Sequence, residues 1–399
     1  MAADDRVGHL GDSRSQGRAT FLELFLDLVY VFALTRLSQR LTDDFTVSRR
    51  TLLSELGQTF LVLLALWQVW LFTAWATSRF DPRRIEIQLV VIGSMFGAMI
   101  MAVSLPQAFG ERGVIFASTF VAIHVGRSLF LVLALRGHPR QPASIRILFW
   151  SAISSVGWIA GALSGGTGRG ICWTAAVVLE FLGAALRWPT PGLGRTDAGN
   201  WGIAPAHIAE RYQQVLLIAL GEAILVSGFV LSAVGFAVER TATFIATFVT
   251  TVLFWRIYFY QPETRLTDAF DNSRDQVRFS RSAGYTHLVM VCGIVSSAVG
   301  YGLLINDPYA EQDPAWVAII FGGPVLFLLG RAWCEWEVQR RVVVTRWSGL
   351  LVFGLLTPVA LVLPLLAVPF LATAVLAGIV VVDALRDREQ FAIEPNPPI

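Results

Sequence analysis

The chain contains no lysine: all 31 of its basic residues are arginine, set against 29 acids for a formal net charge of +2. That absence fits a GC-rich genome better than any chemistry, and the arginines are scattered through polar connections with no stripe for nucleic acid. Charged residues make up only 15% of the sequence, too few for an ordinary soluble domain. Cysteine is scarce too. Cys172, Cys292 and Cys334 each lie in an apolar run without CxxC spacing, which excludes a disulfide framework and a zinc site. There is no GxSxG elbow, no Walker A loop and no GxGxxG after a strand. Gly165, Gly166, Gly168 and Gly170 read as a short external loop, since no strand precedes them for a phosphate cradle. His207 and Glu210 do not have HExxH spacing. Neither a metal nor a cofactor is therefore expected. The first twenty residues are polar and of mixed charge, so no cleavable signal peptide is expected.

What the chain does have is apolar length. Hydrophobic residues make up 55% of it, in runs of about twenty, the length that crosses a bilayer. The expected fold is all-α: a polytopic transmembrane helical bundle of about twelve spans, in the bilayer as its first partner. The spans read as 20–41, 52–77, 85–105, 113–135, 145–163, 170–188, 206–232, 240–261, 283–305, 315–337, 343–362 and 364–385. Arginine placement orients them. Alternate connections carry Arg79, Arg83 and Arg84, then Arg136, Arg140 and Arg146, then Arg265, Arg274, Arg278 and Arg281, then Arg340 and Arg341. The others are poor, with Arg112, Arg169 and Arg240 singly. Both termini are thus expected to be cytoplasmic. One connection disagrees: 40–51 carries Arg40, Arg49 and Arg50 on the outside, offset in part by Asp43 and Asp44.

The organisation that follows is a cytoplasmic tail (1–19), a six-helix half (20–188), a Pro/Gly-rich linker (189–205), a second six-helix half (206–385) and a cytoplasmic tail (386–399). The polar stretch 262–282 reads either as a short interfacial helix or as a solvated loop. An internal repeat is suggested by Gly126-Arg127 in the fourth span and Gly330-Arg331 in the tenth, 204 residues on. Glu180 and Asp383 correspond at an offset of 203, and Asp27 and Glu222 at 195. Such a duplication would run parallel in the membrane and relate the halves by an axis along its normal.

The stretch Phe21–Leu37 is apolar enough to enter a bilayer, yet it carries Glu23, Asp27 and Arg36. At roughly 100° per residue the two acids fall about 40° apart on one face. An acid in a spanning helix costs of order 2.5–3.5 kcal/mol to insert, so this face must look into protein or water. Asp27, Arg127 and Glu180 lie at similar depths, about 10–12 Å from the cytoplasmic ends of their helices. They are expected to form one buried charge layer, either an ion or proton relay or a structural pair. Glu222 is a second deep acid, beside Gly221. Arg331 and Asp383 sit nearer the edge, where they are expected to snorkel.

His207, Glu210 and Arg211 occupy the first turns of the seventh span. Glu210 and Arg211 read there as solvated cap residues before ligands. His124 and an early His287 are open between proton relay and packing. Trp67, Trp70 and Trp75, and Trp255 with Tyr258 and Tyr260, read as aromatic belts.

Two motifs carry a resemblance. The first is Glu23, Leu24, Phe25, Asp27, Leu28, Val29, Val31 and Phe32; the second is Glu210, Arg211, Ile218, Leu220, Gly221, Glu222 and Ile224. Together they resemble the bacterial low temperature requirement A family of integral membrane proteins, across nearly the whole chain. The resemblance implies a multi-pass protein of the bacterial cytoplasmic membrane and carries no residue roles. The functional expectation is a secondary transporter or ion-coupled carrier for an unknown small molecule or ion. The alternatives are a membrane-embedded enzyme acting on a lipid, with Glu222, His124 and Glu180 as acids and bases, or a structural or sensory protein.

Overall fold

The computed structural model describes residues 19–46, 52–196, 203–260, 264–271, 273 and 276–393. Among them are thirteen α-helices and no strand. In chain order they are α1 (Phe21–Thr46), α2 (Leu52–Arg79), α3 (Ile85–Ser104), α4 (Gly113–Ala134), α5 (Gln141–Ser164), α6 (Gly166–Ala185) and α7 (Pro205–Val234). They continue with α8 (Val238–Phe259), α9 (Thr264–Asp271), α10 (Gln276–Asn306), α11 (Pro314–Gln339), α12 (Val344–Ala360) and α13 (Val368–Ile393). Ten of these are long and apolar enough to cross a membrane: all but α1, α9 and α12. Helix α1 has the length, at 26 residues, but is interrupted by charge; α12 is apolar but has only 17 residues. The stretch 262–282 does hold a short helix, α9.

By internal packing the chain forms two compact units: Met1–Ile218 with Leu266–Gly284, and Ala219–Arg265 with Tyr285–Ile399. In the first, α2 is buried over most of its length and packs against α1, α3, α4 and α6, while α4, α5 and α6 pack in sequence. In the second, α11, α12 and α13 pack on one another and α8 packs on α13.

Helix α1 shows how sequence becomes orientation. Glu23, Leu26, Asp27, Tyr30, Ala33, Leu34 and Leu37 recur at helical spacing and are all buried. Phe21, Phe25, Leu28 and Phe32 on the remaining surface are exposed, as a lipid-facing side should be. The helix opens on a capping box: the Thr20 backbone N–H and hydroxyl both donate to Glu23 Oε2, at 2.9 and 3.0 Å, and the Glu23 N–H donates back to Thr20 Oγ1.

Several expectations are corrected here. The connection written as 40–51 starts later, because α1 continues to Thr46; Arg49 and Arg50 lie outside the described residues. Arg40 is no loop residue. It is buried, donating to Thr59 Oγ1 (2.9 Å), Gln58 Oε1 (3.0 Å) and the Pro106 carbonyl (2.9 Å), and lies 3.6 Å from Glu55. Arg169 likewise belongs to α6, where its guanidinium donates to the carbonyls of Ala108, Gly110, Gly161 and Ala162. These two arginines satisfy carbonyls left open around a helix end and the turn after α3. Gly168 and Gly170 are helical, and only the turn at Gly165 and Gly166, with φ of 69° and 50°, uses glycine's left-handed freedom.

The tryptophans of α2 form no belt. Trp67, Trp70 and Trp75 are core residues, as is Tyr258 of α8, whose hydroxyl meets His287 Nε2 at 2.7 Å. Trp255 and Tyr260 are exposed. The described part of the 189–205 connection folds back on α5: Trp150 Nε1 donates to the Pro189 carbonyl, and Arg146 to those of Leu193 and Gly194.

Candidate functional site

Four of the singled-out residues meet in the first unit. Arg211, near the start of α7, sends Nη2 to Asp27 Oδ1 and Nη1 to Asp27 Oδ2, both at 2.8 Å. This is the bidentate fork that guanidinium and carboxylate geometry favours. Its Nε lies 3.8 Å from Glu23 Oε1, its Nη1 also reaches Gln214 Oε1 at 2.6 Å, and the Trp70 ring lies under it, 5.8 Å from the guanidinium carbon. His207, one turn earlier, places Nε2 3.2 Å from Glu23 Oε2 and Nδ1 2.9 Å from Ser78 Oγ. With Nε2 protonated toward the carboxylate, Nδ1 accepts from the serine hydroxyl. Glu23, Asp27, His207 and Arg211 are all buried. Glu210 stands at the rim, where Oε2 accepts from the Ala19 backbone N–H at 2.9 Å.

Charge arithmetic makes this cluster unusual. Among the described residues in contact here, two carboxylates face one guanidinium and one imidazole. Buried net charge is costly, several kcal/mol per uncompensated ion. By formal charge, with the imidazole neutral, the set is one proton short of neutrality. Without that proton, one net negative charge is left out of water.

The layer expected from depth alone is therefore rearranged. Asp27 pairs with Arg211, which is fully buried and no solvated cap. Arg127 of α4 is buried without a contacting carboxylate among the described residues: Nη2 lies 3.4 Å from His124 Nδ1, the Phe72 ring lies 5.1 Å away, and Glu180 and Tyr30 act on it electrostatically. Glu180 of α6 accepts from Ser154 Oγ at 2.5 Å. His124 is a packed histidine, stacked on Phe120 with centroids 4.2 Å apart and edge-on to Phe72. A cavity of about 30 Å³ lies between Arg127 and Arg79, bounded by Phe72, Trp75 and Phe80. That is room for about one or two waters.

The second unit holds a different ionic group. Arg331 Nε lies 3.2 Å from Glu335 Oε1, Arg346 Nε 3.1 Å from the same oxygen, and Arg346 Nη1 2.7 Å from Asp383 Oδ2. Thr345 Oγ1 donates to Asp383 Oδ1 at 2.6 Å. Two guanidiniums against two carboxylates leave no net charge. Arg331 is buried and does not snorkel, because Glu335 one turn on and the Tyr258 ring at 5.2 Å hold it inside. Glu222, in the part of α7 that belongs to this unit, is fully buried. No group of three metal-ligating side chains occurs among the described residues.

Sequence reasoning passed over Glu335 and Arg346. The i,i+4 spacing of Arg331 and Glu335 was a usable signal. Arg346 had none, because its partners come from other helices. The capping box Thr20-x-x-Glu23 was equally legible and explains half of what Glu23 does.

The chain is similar to the family described as bacterial low temperature requirement A protein over residues 18–381, which takes in both units. It is 37% identical over 336 residues to an uncharacterised protein of Rhizobium meliloti (strain 1021), covering 83% of this chain and 80% of that one. No solved structure matches it. Both motif helices, with the Glu23, Asp27 and Arg211 that meet in the buried cluster, lie inside the matched region. The chain is a multi-pass membrane protein and belongs to the bacterial low temperature requirement A family.

Proposed function

We propose that this protein is a proton-coupled secondary carrier, with Glu23, Asp27, His207 and Arg211 as its coupling group. The observation that carries the reading is the charge count: a buried cluster one proton short of neutrality when its imidazole is neutral. A carrier needs a group whose protonation changes the cost of staying buried, so that a proton gradient can bias one conformation over another. The Glu23–His207 pair supplies the proton position. Arg211 holds both acids in register, and Ser78 fixes the imidazole. The balanced group of Arg331, Glu335, Arg346 and Asp383 serves structure, because it is neutral as it stands.

Twelve crossings, with both termini cytoplasmic, and a six-span duplication belong to the same proposal. Internal packing supports the duplication. Gly97 of α3 abuts Ile123 and Thr119 of α4, and Gly293 of α10 abuts Phe327 and Gly323 of α11; the α4 and α11 partners are 204 residues apart, as Arg127 and Arg331 are, while the two glycines are 196 apart. Gly157 packs on Ala176 and Gly349 on Ile379; Ala176 and Ile379 are 203 residues apart, as Glu180 and Asp383 are, while the two glycines are 192 apart. Arg127 lies over Phe72 and Arg331 over Tyr258; Ser154 bonds Glu180 and Arg346 bonds Asp383. These paired contacts, made by different side chains, support the duplication.

The test is uptake of a panel of labelled solutes into proteoliposomes under an imposed pH gradient. Uptake of a panel member should require the gradient and should disappear in Glu23→Gln. Uptake that ignores the gradient, or survives that change, refutes proton coupling.

A further inference from the structure

Glu180 of α6 is a buried acid that the coupling cluster does not use. Its hydrogen bonds do not add up for an ionised carboxylate. Ser154 Oγ of α5 lies 2.5 Å from Glu180 Oε1 and 3.1 Å from the Ser151 carbonyl oxygen. With Glu180 ionised both of those oxygens are acceptors, and a serine hydroxyl has a single hydrogen to give. One of the two then goes without. Glu180 Oε2 is worse placed, buried with no hydrogen-bond partner. A carboxylate held out of water needs donors on both oxygens or a cation in contact.

Among the described residues no cation touches it. From α5 it is faced by Ser154 and Trp158, from α2 by Gln68 and from α4 by Arg127. Arg127 acts on it through space only: Nη2 lies against His124 Nδ1, and the guanidinium lies over the Phe72 ring. Other buried acids of the chain are held differently. Asp27 receives a bidentate arginine, and Glu335 an arginine contact from the next helix.

One proton closes the account. With hydrogen on Oε1, Glu180 donates to Ser154 Oγ, and the serine hydrogen goes to the Ser151 carbonyl. Ser154 then gives its one hydrogen and accepts one, and each contact has a donor and an acceptor. Oε2 becomes the carbonyl oxygen of a neutral acid, where a missing partner costs far less than on a buried charge.

We propose that Glu180 is a proton-binding site that stands loaded at neutral pH, its proton on Oε1 and donated to Ser154. Ionisable groups inside membrane spans mark ion and proton paths, and this one carries its proton apart from the Glu23–His207 pair. The inference stands whether or not the protein is a proton-coupled carrier, since the two groups share no residue.

Infrared spectroscopy of the full-length protein in a neutral maltoside detergent reads the proton directly, because a protonated carboxyl has a carbonyl stretch above the amide band. At neutral pH the wild type should show such a band, and carbon-13 labelling of glutamate should move it. Glu180→Gln, whose amide N–H replaces the carboxyl O–H toward Ser154, should fold as the wild type does and lose a component of the band. That component should remain in Glu23→Gln, which separates this site from the coupling cluster. Ser154→Ala removes the acceptor and should shift the same component upward. A wild-type spectrum with no protonated glutamate at neutral pH overturns the proposal, as does a band unchanged by Glu180→Gln. Should Glu180→Gln fail to fold, the serine variant decides, and an unshifted band there overturns it equally.

Discussion

Replacing Arg211 with methionine tests the buried cluster most severely. Methionine keeps much of the side-chain length and its contact with Trp70 but removes the permanent cation that, among the described residues, faces Asp27 and Glu23. Two bidentate bonds at 2.8 Å and a third to Gln214 are lost, and two buried carboxylates are left with one imidazole. Breaking a buried pair from one side costs about 3–5 kcal/mol, and the second acid puts this case at the upper end. Asp27→Asn should cost less, about 1.5–3 kcal/mol, the worth of hydrogen bonds to a charged group. Arg211 then still has Glu23 at 3.8 Å, and the cluster is neutral without an added proton. The triple change Arg211→Met, Glu23→Gln, Asp27→Asn removes all three charges and should recover most of the loss. Detergent-solubilised protein, unfolded by heat or by SDS, reads all three. If Arg211→Met is no worse than Asp27→Asn, or the triple variant recovers nothing, the stability of this region does not rest on charge balance.

Arg40→Ala should destabilise the protein by about 2–4 kcal/mol in the same assay, since three buried or part-buried acceptors lose a charged donor; an effect under about 0.5 kcal/mol would return Arg40 to the loop. Reporter fusions at Pro308 should report the outside and those at Arg340 the inside, and the reverse result inverts the proposed orientation. His138, in the connection between α4 and α5, is held below the ordinary histidine range by burial and by the Arg140 cation, and its Nδ1 already accepts from the Arg140 N–H. Its contribution to stability is therefore present above the unfolded-state value of about 6.5 and is lost as pH falls. Labelled-histidine NMR should show it titrating below the exposed value, and a midpoint at or above 6.5 contradicts this.

What the sequence determined by itself was the class of molecule and the buried face of its first helix. Apolar runs of bilayer length have one economical structure, because a backbone in hydrocarbon must satisfy its own hydrogen bonds. Every predicted span is accordingly a helix. Glu23 and Asp27 share a face by helical periodicity alone, and their insertion cost requires that face to be buried, as it is. Only tertiary structure decided which charges meet. Depth along a helix ranked Arg127 as the partner of Asp27, yet Arg211 is the partner, because helix neighbours are chosen by side-chain packing between segments 184 residues apart. The same limit hid Arg346, whose acids sit on α11 and α13. It also misplaced Arg40 and the α2 tryptophans, since composition cannot tell an arginine tying carbonyls from one in water, nor a core indole from a belt. Apolarity is written residue by residue, whereas the pairing of buried charges is a property of two helices at once.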